Sequence, residues 1–322
     1  MKTQNLGEFG ANALNANAHE TQSEICTKTS GLENGPRREF VKNSAKVAGI
    51  AMLASTLPLM AQTKGKTMQF TPTTQANHSK LFGVASSGLA KTDPEFIEIY
   101  ANFAFDEVFA QSPNIDLQTR LKLILGALVA VQGLNEFKVM LTAALKNGVS
   151  PVEVKEILYQ STAYIGIGKS MDFIIACNEV FKARGVKLPL DPQQNVARQN
   201  RQDWGLNIQR QFFGEAIDKG NAAAPDDEKH IRRFLSANCF GDYYTRSGLE
   251  LKFRELLTFV ILTSLGGADA QVRAHIQGNL NIGHDRAYLI EVVTALVPYI
   301  GYPRSLNALA AIDELTLNKE KK

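Results

Sequence analysis

One histidine, His275, closes the stretch "GGADAQVRAH" (residues 266–275), and one glutamate, Glu255, opens the apolar run "LLTFVILTSL" directly before it. A carboxylate at the edge of an apolar helix is partly desolvated and suits general acid or base work, and an imidazole carries protons near neutral pH. Arg254, the residue before Glu255, has the fork geometry to hold a substrate carboxylate in a bidentate way. Each residue also has a plainer reading. Glu255 would complement a helix dipole, His275 would be a satisfied core residue, and Arg254 would belong to a structural ion pair. The chain's other chemistry-bearing residues are scattered. Cys26, Cys177 and Cys239 form neither a CxxC nor a metal-ligand cluster, and no HxxxH or HExxH occurs among five histidines, so neither a metal nor a disulfide framework is expected.

The elements that must position these residues are helices. Leu121, Ile124, Leu125, Leu128 and Val129 recur at helical spacing. "LLTFVILTSL" is apolar on nearly every side, as in a helix buried all round. Gly148 and Gly283 stand where a helix end takes a left-handed residue, and Ser150-Pro151 and Asp285 follow as start signals. His275 shares a helical face with Gln271, Val272, Gly278 and Asn279, and Gly278 is an odd choice unless another group approaches closely there. Strand patterns are absent, so the expected fold class is all-α.

The chain repeats itself. The segment beginning "FAFDEVFAQSPNIDLQTRLKLILG" returns about 135 residues later as "NCFGDYYTRSGLELKFRELLTFVILTSLGG", with Arg120 answering Arg254, Gly133 answering Gly267, and Tyr164-Ile165-Gly166 answering Tyr299-Ile300-Gly301. Leu121 stands where the second copy has Glu255, and Met140 where it has His275. The first copy is therefore expected to be a structural partner with a degenerate site, and the pair is not required by the fold. Two such halves are expected to pack as a pseudo-dimer about an approximate two-fold axis. The domains read as 80–187 and 203–320, joined by a linker over 188–202.

The second copy closely resembles the carboxymuconolactone decarboxylase family, which has the alkylhydroperoxidase D-like all-helical fold. The features that carry the likeness stand in order: Arg254-Glu255 before the apolar helix, the Gly266-Gly267 turn, His275, the close at Asn281-x-Gly283, and Tyr299-x-Gly301-x-Pro303. The likeness spans roughly residues 92 to 318. It implies that Glu255 and His275 act together, with Arg254, Gln271 and Tyr299 as substrate contacts and no cofactor, on a small carboxylated lactone or related acid. Family members also include thiol peroxidases, but Ala268 and Gln271 occupy the thiol positions here. The rival expectations are a peroxidase working through another cysteine and a non-catalytic binding module. The likeness further implies a homo-oligomer of fused pseudo-dimers.

Composition sets the remaining bounds. With 322 residues, 44% hydrophobic and 21% charged, the chain is globular over most of its length, and a net charge of +3 without a basic stripe suggests no nucleic-acid partner. Residues 1–36 read as a disordered extension and 63–79 as a linker. Between them, residues 37–62, "RREFVKNSAKVAGIAMLASTLPLMAQ", resemble a twin-arginine export signal whose apolar run is too short to be a stable membrane span. The expected location is periplasmic or exported, or cytoplasmic if the segment is not a signal.

Overall fold

The computed structural model describes residues 62–63, 66–84 and 87–317. The proposed extension and most of the signal segment lie outside the described residues. Apart from a two-strand antiparallel ladder, β1 (Gln62–Thr63) and β2 (Lys66–Thr67), the described chain is helical. Pro72–Phe82 forms α1 inside the segment read as a linker. Thr71 caps it by accepting from Thr74 N, Pro72 pre-sets its first turn, and it packs on the first copy.

The first copy runs through α2 (Pro94–Asn102), a π-helical turn (Phe103–Glu107), α3 (Val108–Ala110), α4 (Leu117–Ala130), α5 (Leu134–Lys146), α6 (Pro151–Ile165) and α7 (Ile167–Ala183). An irregular crossing then leads to α8 (Arg201–Phe213), α9 (Ala216–Ala222) and α10 (Lys229–Phe234). The second copy continues as a π-helical segment (Leu235–Tyr244), α11 (Leu251–Leu265), α12 (Asp269–Asn281), α13 (Arg286–Ile300) and α14 (Tyr302–Thr316). The local signals act as their chemistry requires. Ser150 and Glu153 form a reciprocal capping box at the start of α6, Asp285 caps α13, and Gly148 and Gly283 adopt φ of +91° and +87° after α5 and α12.

The two copies share one core. α4 and α11, apolar nearly all round, pack against each other at its centre, and residues of both copies belong to a single buried cluster. Each fully buried Leu, Ile or Phe in it contributes roughly 1.5–3 kcal/mol. Packing is exchanged between halves: α6 lies against α11 and the π-helical segment of the second copy, while α13 lies against α3 and α4 of the first. Arg120 and Arg254 occupy matching places. Each is buried and ties the turn before its own core helix to that helix, Arg120 through Ser112 and Arg254 through the carbonyls of Arg246 and Ser247.

Candidate active site

Glu255 lies in the second turn of α11, fully buried, and His275 in the middle of α12 at 8% exposure. Their side chains meet, with His275 Nδ1 2.7 Å from Glu255 Oε1. Gly278, one turn beyond His275, makes this contact possible. A Cβ there would stand 2.3 Å from Glu255 Oε1 and 3.0 Å from the Phe213 ring, so only glycine lets α12 close onto the carboxylate. Asn279 fastens the same two helices by donating to the backbone carbonyls of Glu255 and His275, at 3.2 and 2.7 Å. Among the described residues no hydrogen-bond partner takes the other ring nitrogen, Nε2.

The remaining wall comes from elements the sequence reading did not bring here. Phe213, at the end of α8, and Tyr164, at the end of α6, stand edge-on to the imidazole with ring centroids 5.3 and 6.2 Å away. Tyr164 OH is 2.8 Å from Tyr244 OH and accepts from Cys239 Sγ at 3.5 Å. Tyr244 in turn is hydrogen-bonded to Thr258 Oγ1 and approaches Glu255 Oε2 at 3.5 Å. Burial pushes both tyrosine hydroxyls well above their ordinary range, with the Glu255 carboxylate adding to the effect on Tyr244, so both remain neutral.

Two of the three expected substrate contacts, Arg254 and Tyr299, are placed differently. Arg254 is fully buried and points away from the pair. Its Nη2 donates to Glu156 at 2.9 Å and to two carbonyls, and its Nη1 donates to Gln160 at 3.1 Å. Consecutive helical residues point about 100° apart, so with Glu255 turned to α12, Arg254 must turn to α6. It is the structural ion pair, not the carboxylate clamp. Tyr299 lies at the other end of the pseudo-two-fold, hydrogen-bonded to Tyr100 and near Glu136 and Arg120. Helix exchange puts Tyr164 of the first copy where Tyr299 was expected. Gln271 is exposed, one turn before His275 on the same helix.

In the first copy, Leu121 and Met140 are buried at the positions of the pair. Its polar group is instead Tyr299, Tyr100 and Glu136, with Tyr100 OH donating to Glu136 at 3.3 Å and no histidine among them. A cavity of about 90 Å³ lies beside the Gly266-Gly267 turn and one of about 470 Å³ lies against α6 and α7; neither is lined by Glu255 or His275. Both described cysteines are buried, which pushes the Cys177 thiol up to about 12 and the Cys239 thiol up to about 11.

The sequence model of the carboxymuconolactone decarboxylase family matches residues 94–179 and 230–314, more than half of the chain in two regions. A 4-carboxymuconolactone decarboxylase of Acinetobacter baylyi is 26% identical over 118 residues, covering 36% of this chain and 87% of that protein. A solved structure from Burkholderia xenovorans LB400, provisionally described as a gamma-carboxymuconolactone decarboxylase subunit, is 20% identical, with 77% of this chain and 97% of that one covered at a TM-score of 0.45. No helix among the described residues is long and apolar enough to cross a membrane. This chain, with two matched copies in tandem, belongs to the carboxymuconolactone decarboxylase family.

Proposed function

We propose that this protein is an acid-base enzyme acting on a small carboxylated lactone or related acid, with His275 as the proton carrier and Glu255 as the group that orients it. The observation that carries this reading is the 2.7 Å contact between Nδ1 and a fully buried carboxylate, which leaves Nε2 for a ligand. With Nδ1–H donated to Glu255, Nε2 accepts a proton, and the resulting imidazolium is stabilised by the carboxylate beside it. In decarboxylation the bond from carbon to the carboxylate breaks, CO2 leaves, and the electron pair remains on carbon as an enolate. The Nε2 proton then moves to that carbon. Isomerisation uses the same nitrogen to take a proton from one carbon and return it to another. The Tyr164 and Tyr244 hydroxyls, held neutral, are the hydroxyl donors beside the pair.

The substrate named for the Acinetobacter relative sets the starting point for testing. Release of CO2 and loss of lactone absorbance are measured over a panel beginning with 4-carboxymuconolactone. We expect turnover by the wild type and a loss of at least about 100-fold in His275→Ala, the usual scale for removing a general acid or base. Turnover by a folded His275→Ala equal to wild type would overturn the assignment. The buried thiols support this reading over peroxide reduction, which needs an accessible thiolate. Export through the residue 37–62 segment is proposed separately, and N-terminal sequencing of the secreted protein tests it.

A further inference from the structure

The larger cavity, about 470 Å³, lies between α6, α7 and the 188–193 stretch that joins the copies, apart from Glu255 and His275. Lys155 on its wall is 6% exposed. Its Nζ donates to Asn178 Oδ1 and lies 5.9 and 5.7 Å from the ring centroids of Tyr159 and Phe181, with no carboxylate at ion-pair distance among the described residues. An ammonium has three N–H donors, and one is used here. Burying such a group without a counter-charge is expensive, and burial lowers its proton affinity accordingly.

The rest of the lining leaves Lys155 without a counter-charge. Glu156 faces the cavity but is already neutralised, by Arg246 through Nε and Nη2 and by Arg254. Of the lining charges, Lys155 and Arg246 balance Glu156 and the exposed Asp191, but Glu156 is held by Arg246 and by Arg254 behind it, so Lys155 is the lining cation without an ion-pair partner among the described residues. Ile174, Leu188 and Pro189 supply apolar surface to the same cavity, and the volume lies within the range of small-molecule sites.

The tandem repeat shows that the architecture does not demand the lysine. By the same register that pairs Met140 with His275, Lys155 answers Ile290, and Asn178 answers Asp313, which is engaged by Arg286. One half of the molecule has an apolar residue where the other has buried an ammonium.

We infer that this cavity is a binding site for a small organic carboxylate with a ring-sized apolar body, its carboxylate on Lys155 Nζ and its body against Ile174, Leu188 and Pro189. It is distinct from the Glu255–His275 pair and stands whether or not that pair turns a substrate over. Calorimetric titration of the full chain with benzoate, and with neutral benzamide as control, tests it. Benzoate is expected to bind wild type and His275→Ala saturably and alike, and Lys155→Met at least about tenfold more weakly, with benzamide weaker by a similar factor, as a lost charge-assisted bond predicts. Ile174→Trp, which fills the cavity and leaves the charge, reads the same claim should Lys155→Met melt too low. Absence of saturable benzoate binding to wild type up to about 10 mM, unweakened binding to Lys155→Met, or loss of binding in His275→Ala would overturn the inference.

Discussion

Gly278→Ala separates the site from the fold. The backbone there is ordinary helix, so alanine brings a propensity gain of about 1 kcal/mol. Against this, the new Cβ would lie 2.3 Å from Glu255 Oε1, 3.2 Å from Glu255 Cδ and 3.0 Å from the Phe213 ring. Relieving the first contact to an ordinary separation requires a movement of about 1 Å, and overpacking of this kind costs about 1–3 kcal/mol. The net loss is therefore between about zero and 2 kcal/mol, a fall in melting midpoint below about 8 °C for a chain of this size. Turnover should suffer far more, because about 1 Å of misplacement between catalytic groups costs on the order of 100-fold. Calorimetric melting and kcat/KM on the same preparation read both quantities. Gly220→Ala, where an added Cβ meets nothing within 4 Å, serves as the control and should be neutral or slightly stabilising. A Gly278→Ala protein with wild-type kcat/KM would refute the claim that close approach at this residue sets the Glu255–His275 geometry.

Arg254→Met leaves Glu156 with one cation instead of two and should cost about 3–5 kcal/mol in chemical denaturation, the scale for breaking a buried ion pair. Tyr164→Phe should lower turnover in the second copy's site while shifting the melting midpoint by only a few degrees, measured in parallel. Thiols that ionise near 9 when unfolded do so near 11 and 12 here. Stability is thus fully present below pH about 9 and falls as pH rises through that window, and native Cys177 and Cys239 should resist alkylation at pH 8. His284, lowered from 6.5 to about 4 chiefly by burial, works in the opposite sense. The unfolded chain takes up its proton first, so stability falls as pH drops from 6.5 toward 4, and His284→Gln should flatten that slope in a pH series of denaturant midpoints.

Much of the architecture is legible in local chemistry. The all-round apolar α4 and α11, the caps at Ser150 and Asp285 and the left-handed Gly148 and Gly283 each follow from residue type and spacing. Gly278, unexplained by helix propensity, marks the approach of Glu255. What sequence leaves hidden is long-range. Nothing in the repeat shows that α6 and α13 exchange places, so the conserved register of Tyr164 and Tyr299 points each tyrosine at the wrong half. Arg254 precedes Glu255 in sequence, but neighbouring helical residues face different partners, and only the packing of α6 decides between its two readings. α1 was hidden by polar composition, although Thr71-Pro72 and Gly83 punctuate it.

The central claim is that Glu255 holds Nδ1–H of His275 and leaves Nε2 free to accept a proton. Long-range proton–nitrogen correlation NMR of the imidazole at pH 9, where a histidine is ordinarily neutral, reads the tautomer directly. Wild type is predicted to show a protonated Nδ1 and a bare Nε2, with the preference lost in Glu255→Leu, which removes the acceptor. An Nε2–H tautomer in the wild type, or an unchanged spectrum in the variant, would contradict the account.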